Sequence, residues 1–135
     1  MASQLKVDTI TGVTTAGSIA VTGEGNSTTT NLQQGLAKGW AKVNQDTPAF
    51  RGSFNMSSLT DSETGIYELN FTSIFSALDD YVINTNAQAE DYNQDKTEYQ
   101  AHSASTASKC QVFTCENNAA RDQSISDNSL LGDLA

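Results

Sequence analysis

Apolar side chains in this chain recur at every second position, in runs of only a few residues. The clearest run is Ile66-Tyr67-Glu68-Leu69-Asn70-Phe71, where Tyr67, Leu69 and Phe71 share one face and Glu68 and Asn70 the other. A period of two marks a β-strand with one face toward a core, because successive side chains point to opposite sides of the pleat. Comparable runs at Trp40–Asn44, Phe50–Met56, Tyr81–Asn84, Thr97–Ser103 and Lys109–Cys115 predict six or seven short antiparallel strands. Thr60-Asp61-Ser62-Glu63-Thr64-Gly65 reads as a turn and predicts a hairpin ahead of Tyr67. The acidic stretch from Ala87 to Gln94 reads as a surface loop, and Ser124-Ile125-Ser126 as a last edge strand. Leu130, Leu131 and Leu134 are expected to pack as a terminal clamp. The expected fold class is all-β: a small antiparallel β-sandwich preceded by an extended N-terminal arm with short strands.

The arm is set apart by composition. From Met1 to about Asn31 roughly a third of the residues are Ser or Thr and none is aromatic. Such a segment cannot build a core. Leu5, Val7 and Thr9 still alternate with polar neighbours, and Ser18–Thr22 places Ile19 and Val21 on one face, which predicts two brief strands joined through Gly12–Gly17. A ribbon this small is marginal alone and gains order by adding to another sheet. Leu5, Val7, Ile10, Ile19 and Val21 are therefore the candidate anchoring residues. Asn31–Gly39 reads as a turn or two of helix, with Asn31 as its cap and Gly39 just past its end. This divides the chain into residues 1–39, an anchoring arm and linker, and 40–135, a β-sandwich-like domain.

Charge removes several function classes. The net charge is −9 and the seven Lys and Arg residues are scattered, so phosphate neutralisation in a nucleic-acid groove is not expected. No apolar run approaches the roughly 20 residues a spanning helix needs. Met1–Ile10 lacks the apolar block of a signal peptide, so the expectation is a soluble chain made in the cytoplasm, with no membrane insertion.

The residues that carry chemistry are sparse. His102 is the single histidine, and no Gly-x-Ser-x-Gly elbow is present, so no enzyme activity is expected. Cys110 and Cys115 lie an odd number of positions apart on one strand, roughly 16 Å by the strand rise, and should remain reduced thiols. The acidic pairs Asp79-Asp80 and Glu90-Asp91, with Asp95, lack calcium-loop spacing, and no metal or other cofactor is expected. Trp40, Phe50, Phe54, Tyr67 and Phe71, at strand spacing, are expected to be core and not a carbohydrate platform. Tyr92 and Tyr99, in the polar second half, are the candidates for an exposed contact surface.

One stretch carries a family likeness. Ala49-Phe50-Arg51-Gly52-Ser53-Phe54-Asn55-Met56-Ser57-Ser58-Leu59, followed by Thr64-Gly65-Ile66-Tyr67 and Asn70-Phe71-Thr72, resembles the carboxy-terminal domain of tail-fibre proteins of marine phages. The opening Met1–Ile10 resembles the start of many such virion proteins, and Asn31–Ala37 their linker. The chain departs from the family pattern at Ile74–Asp80, where relatives carry a Pro-containing loop, and in its ending Ser129–Ala135. The resemblance implies a non-enzymatic structural protein on the virion surface, a homotrimer anchored to capsid or tail proteins through its arm. Its β domain would then be displayed for host attachment, with a host surface glycan as the expected target. A capsid decoration protein, of the cement or head-fibre kind, is the alternative, and a carbohydrate-binding module the second.

Overall fold

In the computed structural model, residues 5–12, 19–22, 29–88, 98–116 and 119–135 are described. The chain divides into two units, Met1–Gly35 and Leu36–Ala135. In the first, β1 (Ala20–Thr22) pairs antiparallel with β2 (Thr29–Asn31), and one helical turn follows, α1 (Leu32–Gly35). The Leu32 amide donates to the Ile19 carbonyl at 2.8 Å, which ties the start of the helical turn to the strand. The expected pairing of Leu5–Ile10 with Ser18–Thr22 does not form. Residues 5–12 are irregular, and β1 takes β2 as its partner instead. So little apolar surface cannot hold a third strand beside β1 and β2. Of the turn expected at Gly12–Gly17, residues 13–17 lie outside the described residues. The helix is a single turn, within the expected turn or two, but Asn31 belongs to β2 and Gly39 lies in the next strand.

The second unit is built from β3 (Ala37–Asn44), β4 (Ala49–Phe54), β5 (Met56–Glu63), β6 (Ile66–Phe71), β7 (Tyr81–Gln88), β8 (Glu98–Thr106), β9 (Lys109–Glu116), β10 (Ala119–Ala120) and β11 (Ile125–Gly132). They form two antiparallel sheets, as the alternation predicts. The first runs β4-β3-β11-β7 and the second β5-β6-β9-β8, with β10 pairing the end of β9 beyond β6. Tight hairpins join β5 to β6 through Thr64-Gly65 and β8 to β9 through Ala107-Ser108. Gly65 has φ +71, and a Cβ there would lie 2.5 Å from the Thr114 carbonyl oxygen, so both the turn and the packing require glycine.

The core lies between the sheets. β6 contributes Tyr67, Leu69 and Phe71, β9 contributes Cys110 and Val112, β3 contributes Ala41 and Val43, and β11 contributes Leu130. At one end, Phe71, Phe75 and Tyr81 pack ring to ring with centroids 4.5–5.7 Å apart. Across the middle a polar bridge joins the sheets: Ser126 Oγ donates to the Tyr67 hydroxyl at 2.5 Å, and that hydroxyl donates to Asn128 Oδ1 at 3.0 Å. Burial raises the Tyr67 phenol pKa above its ordinary value, so it stays a hydrogen-bond donor.

Asn55 is the one residue between β4 in the first sheet and β5 in the second. Its φ is 60°, a conformation Asn tolerates better than most residues. Its Nδ2 donates to the Lys38 and Ser73 carbonyls at 2.9 and 3.0 Å, and its Oδ1 accepts from the Ser73 amide at 2.6 Å. A single side chain thereby satisfies backbone groups on both sides of the crossover.

Two strand expectations are corrected. The single strand expected over Phe50–Met56, with Phe50, Gly52, Phe54 and Met56 on one face, divides at Asn55 into β4 and β5, and Phe50 does not share a face with Gly52 and Phe54. Val43 pairs with Phe50 but Lys42 pairs with Gly52, so Arg51 is an extra residue on β4. This bulge sends Phe50 toward the core and Gly52 and Phe54 to the outside. Residues 125–132 form a central strand between β3 and β7, not an edge, and Leu130 is fully buried in the core. Leu134 makes an isolated bridge to Phe75 and stays 38% exposed, so the three leucines do not act as one clamp.

Candidate functional site

The outer face of the first sheet follows from the inner one. Ala41 and Val43 face the core, so Trp40 and Lys42 on the same strand face outward. Trp40 pairs with Phe54 on one side and Ser129 on the other, and Ser129 pairs with Asn84. The resulting row, Phe54–Trp40–Ser129–Asn84, crosses all four strands and spans roughly 14 Å. The next row is Gly52–Lys42–Asp127–Asn86. Trp40 is 44% exposed and Phe54 54%, which corrects their expected place in the core.

Gly52 makes room for the indole. A Cβ on Gly52 would lie 3.3 and 3.4 Å from Trp40 Cζ3 and Cη2, so the six-membered ring reaches diagonally over the glycine. Lys42 Nζ stands 3.7 Å from Asp127 Oδ1. At this exposure the pair contributes little stability, yet it cancels charge in the middle of the face. Beside it lies a shallow depression of about 240 Å³ lined by Asn84, Thr85, Asn86, Asp127, Asn128 and Ser129. Its centre is the backbone of the paired residues Asn128 and Thr85, whose neighbours along the strands turn outward. The face thus combines aromatic surface with amide and hydroxyl groups that donate and accept, an arrangement suited to binding. Among the described residues no cluster of His, Cys, Asp or Glu could hold a metal ion.

The anchoring candidates are mostly exposed: Leu5 80%, Val7 53%, Ile10 57% and Val21 51%. Ile19 is half-buried. Val21 lies on β1, while Leu5, Val7 and Ile10 lie on the irregular segment. Tyr92 is outside the described residues. Tyr99 sits on β8 opposite Cys115, and His102 opposite Val112, with both side chains outside the described set. Neither cysteine is in a disulfide and both are buried. Burial pushes the Cys110 thiol pKa up to about 12, which leaves it protonated and unreactive at neutral pH.

The alternation of Trp40 with Ala41 and Val43 admits an outward tryptophan, but the bulge at Arg51 and the central position of β11 have no local sequence mark. Asn84, Asn86, Asp127 and Ser129 come together only through pairings between strands distant in sequence. Comparison with family models, with curated proteins and with solved structures returns no match.

Proposed function

We propose that this chain is a non-enzymatic structural protein of a phage virion surface, anchored through residues 1–35 and displaying the β-sandwich as a fibre-like appendage for host attachment. The observation that carries this reading is the set of exposed apolar side chains on the arm, Leu5, Val7, Ile10 and Val21, in a unit distinct from the sandwich. Apolar residues on a short polar segment, Val21 on the two-stranded ribbon and Leu5, Val7 and Ile10 on the irregular stretch before it, are suited to insertion against a neighbouring sheet, either a second copy of the chain or a capsid or tail protein. The resemblance of Ala49–Thr72 to fibre domains supports the same role. A trimer would bury apolar surface that one copy leaves open.

The test is the copy number of the chain in purified particles, measured by quantitative mass spectrometry against the major capsid protein. Tens of copies or fewer are expected for an appendage. Hundreds would make it a capsid decoration protein instead, and absence from particles would overturn the virion role altogether.

A further inference from the structure

We propose that the outer face of the β4-β3-β11-β7 sheet binds a neutral oligosaccharide, with Trp40 as the platform for a sugar ring and Asn84, Asn86 and Ser129 as hydrogen-bonding partners for its hydroxyls. The inference deepens the host-attachment role by naming the chemistry of what is attached to, and rests on that role only for its biological setting.

A pyranose has an apolar face of C–H groups and a rim of hydroxyls that both donate and accept. Trp40 and Phe54 stand side by side and solvent-exposed, and Gly52 lets the indole lie across the sheet where a larger residue would prop it up. An exposed aromatic face of this kind combines apolar surface with the partial negative charge that attracts C–H groups. Asn84 and Asn86 each bring two donors and an acceptor, and Ser129 brings a hydroxyl, all on the side of the sheet that carries Trp40. The depression between them is smaller than the ~300 Å³ at which small-molecule pockets begin, and it is open, as suits one ring of a longer chain. Trp40 and Asn84 are two strand spacings apart, roughly 10 Å, so a ligand touching both is an oligosaccharide.

Electrostatics narrows the class. Lys42 and Asp127 neutralise each other within the face, while the chain as a whole carries −9, so an anionic glycan is repelled and a neutral one is not. The polar residues interrupt the apolar surface, which disfavours a buried protein interface.

Trp40 is the single tryptophan, so its fluorescence reports on this face alone. The experiment titrates the full chain with neutral hexasaccharides of glucose, galactose, mannose and N-acetylglucosamine, with hexagalacturonate as the anionic control. A saturable change with at least one neutral hexasaccharide and none with the control is expected. Calorimetry on the variants should then show binding weakened roughly tenfold or more by Trp40→Ala, as for a central aromatic anchor, and also by Asn84→Ala combined with Asn86→Ala, with Trp40→Phe retaining part of the affinity. Because these side chains are exposed, circular dichroism should show all variants folded. No response to any neutral hexasaccharide, or affinity unchanged in both Trp40→Ala and the double variant, overturns the site. Neither result affects the virion role, which the copy number tests separately.

Discussion

Trp40 and Phe54 lie directly opposite each other on β3 and β4 and both turn away from the core, Trp40 because Ala41 and Val43 beside it face inward and Phe54 because Arg51 is an extra residue on β4. Without it, Phe54 would follow Phe50 inward and the outer face would lose half of its aromatic surface. One inserted residue thus separates a core-forming position from a surface one within a single strand.

Gly65 should be the least replaceable residue of the β5-β6 turn. Its φ is +71, and an added Cβ would meet the Thr114 carbonyl oxygen at 2.5 Å and the Arg121 amide nitrogen at 2.7 Å. Gly65→Ala is expected to cost about 3 kcal/mol or more, read from the urea midpoint.

Asn55 combines a left-handed backbone with three hydrogen bonds from its side chain. Asn55→Ala loses both features and should cost about 2–4 kcal/mol, whereas Asn55→Gly relieves the backbone and should cost less. Thermal melts of the pair check the order. Equal losses would mean that the hydrogen bonds alone matter.

The Tyr67 bridge between the sheets predicts that Tyr67→Phe destabilises by about 1–3 kcal/mol. Removing the hydroxyl leaves the Ser126 and Asn128 side chains buried and short of a partner. In Tyr67→Phe, replacing Ser126 by Ala should cost less than it does in the parent chain, which a double-mutant cycle measures.

Stability should fall at alkaline pH through Cys110. Its thiol is raised from 9.0 to about 12 by burial, so above pH 9 the unfolded chain has lost a proton that the folded chain keeps. The unfolded state then binds fewer protons, and unfolding becomes easier as pH rises. The thiol's contribution is complete below pH 9 and is lost between 9 and about 12, at up to about 1.4 kcal/mol per pH unit. The phenol of Tyr67 acts in the same direction. Urea midpoints at pH 8 and pH 10.5 should differ in the parent chain and differ less in Cys110→Ala.

The arm residues should matter for attachment and not for folding. Leu5 is 80% exposed and Val7 53%, so Leu5→Asp with Val7→Asp is expected to leave the melting temperature within about 2 °C. The same double variant should fail to incorporate into particles. Normal incorporation would remove the arm from the anchoring role.

Much was legible locally. The period of two in Ile66–Phe71 set which side of β6 would be buried, and Tyr67, Leu69 and Phe71 are buried as it predicts. The turn expected at Thr60–Gly65 announced the β5-β6 hairpin, although Thr60–Glu63 extend β5 and only Thr64-Gly65 turn, and the alternation of Lys109–Cys115 announced β9. These features depend on neighbours in the chain, and the residues themselves carry the signal.

The candidate site was not legible, and the reason is physical. Alternation divides a strand into two faces, yet it names neither the partner strand nor the register. β11 joins β3 and β7 across intervals of about 90 and 40 residues, and only that pairing lines up Trp40, Ser129 and Asn84. The sequence by itself determined an all-β chain with a polar arm, a strongly acidic charge and the inward faces of its most regular strands. Tertiary structure alone decided that residues 125–132 run through the middle of a sheet and that Arg51 is extra. The first depends on pairing between segments far apart in the chain and the second on the register between neighbouring strands, and neither is marked within any one strand's residues.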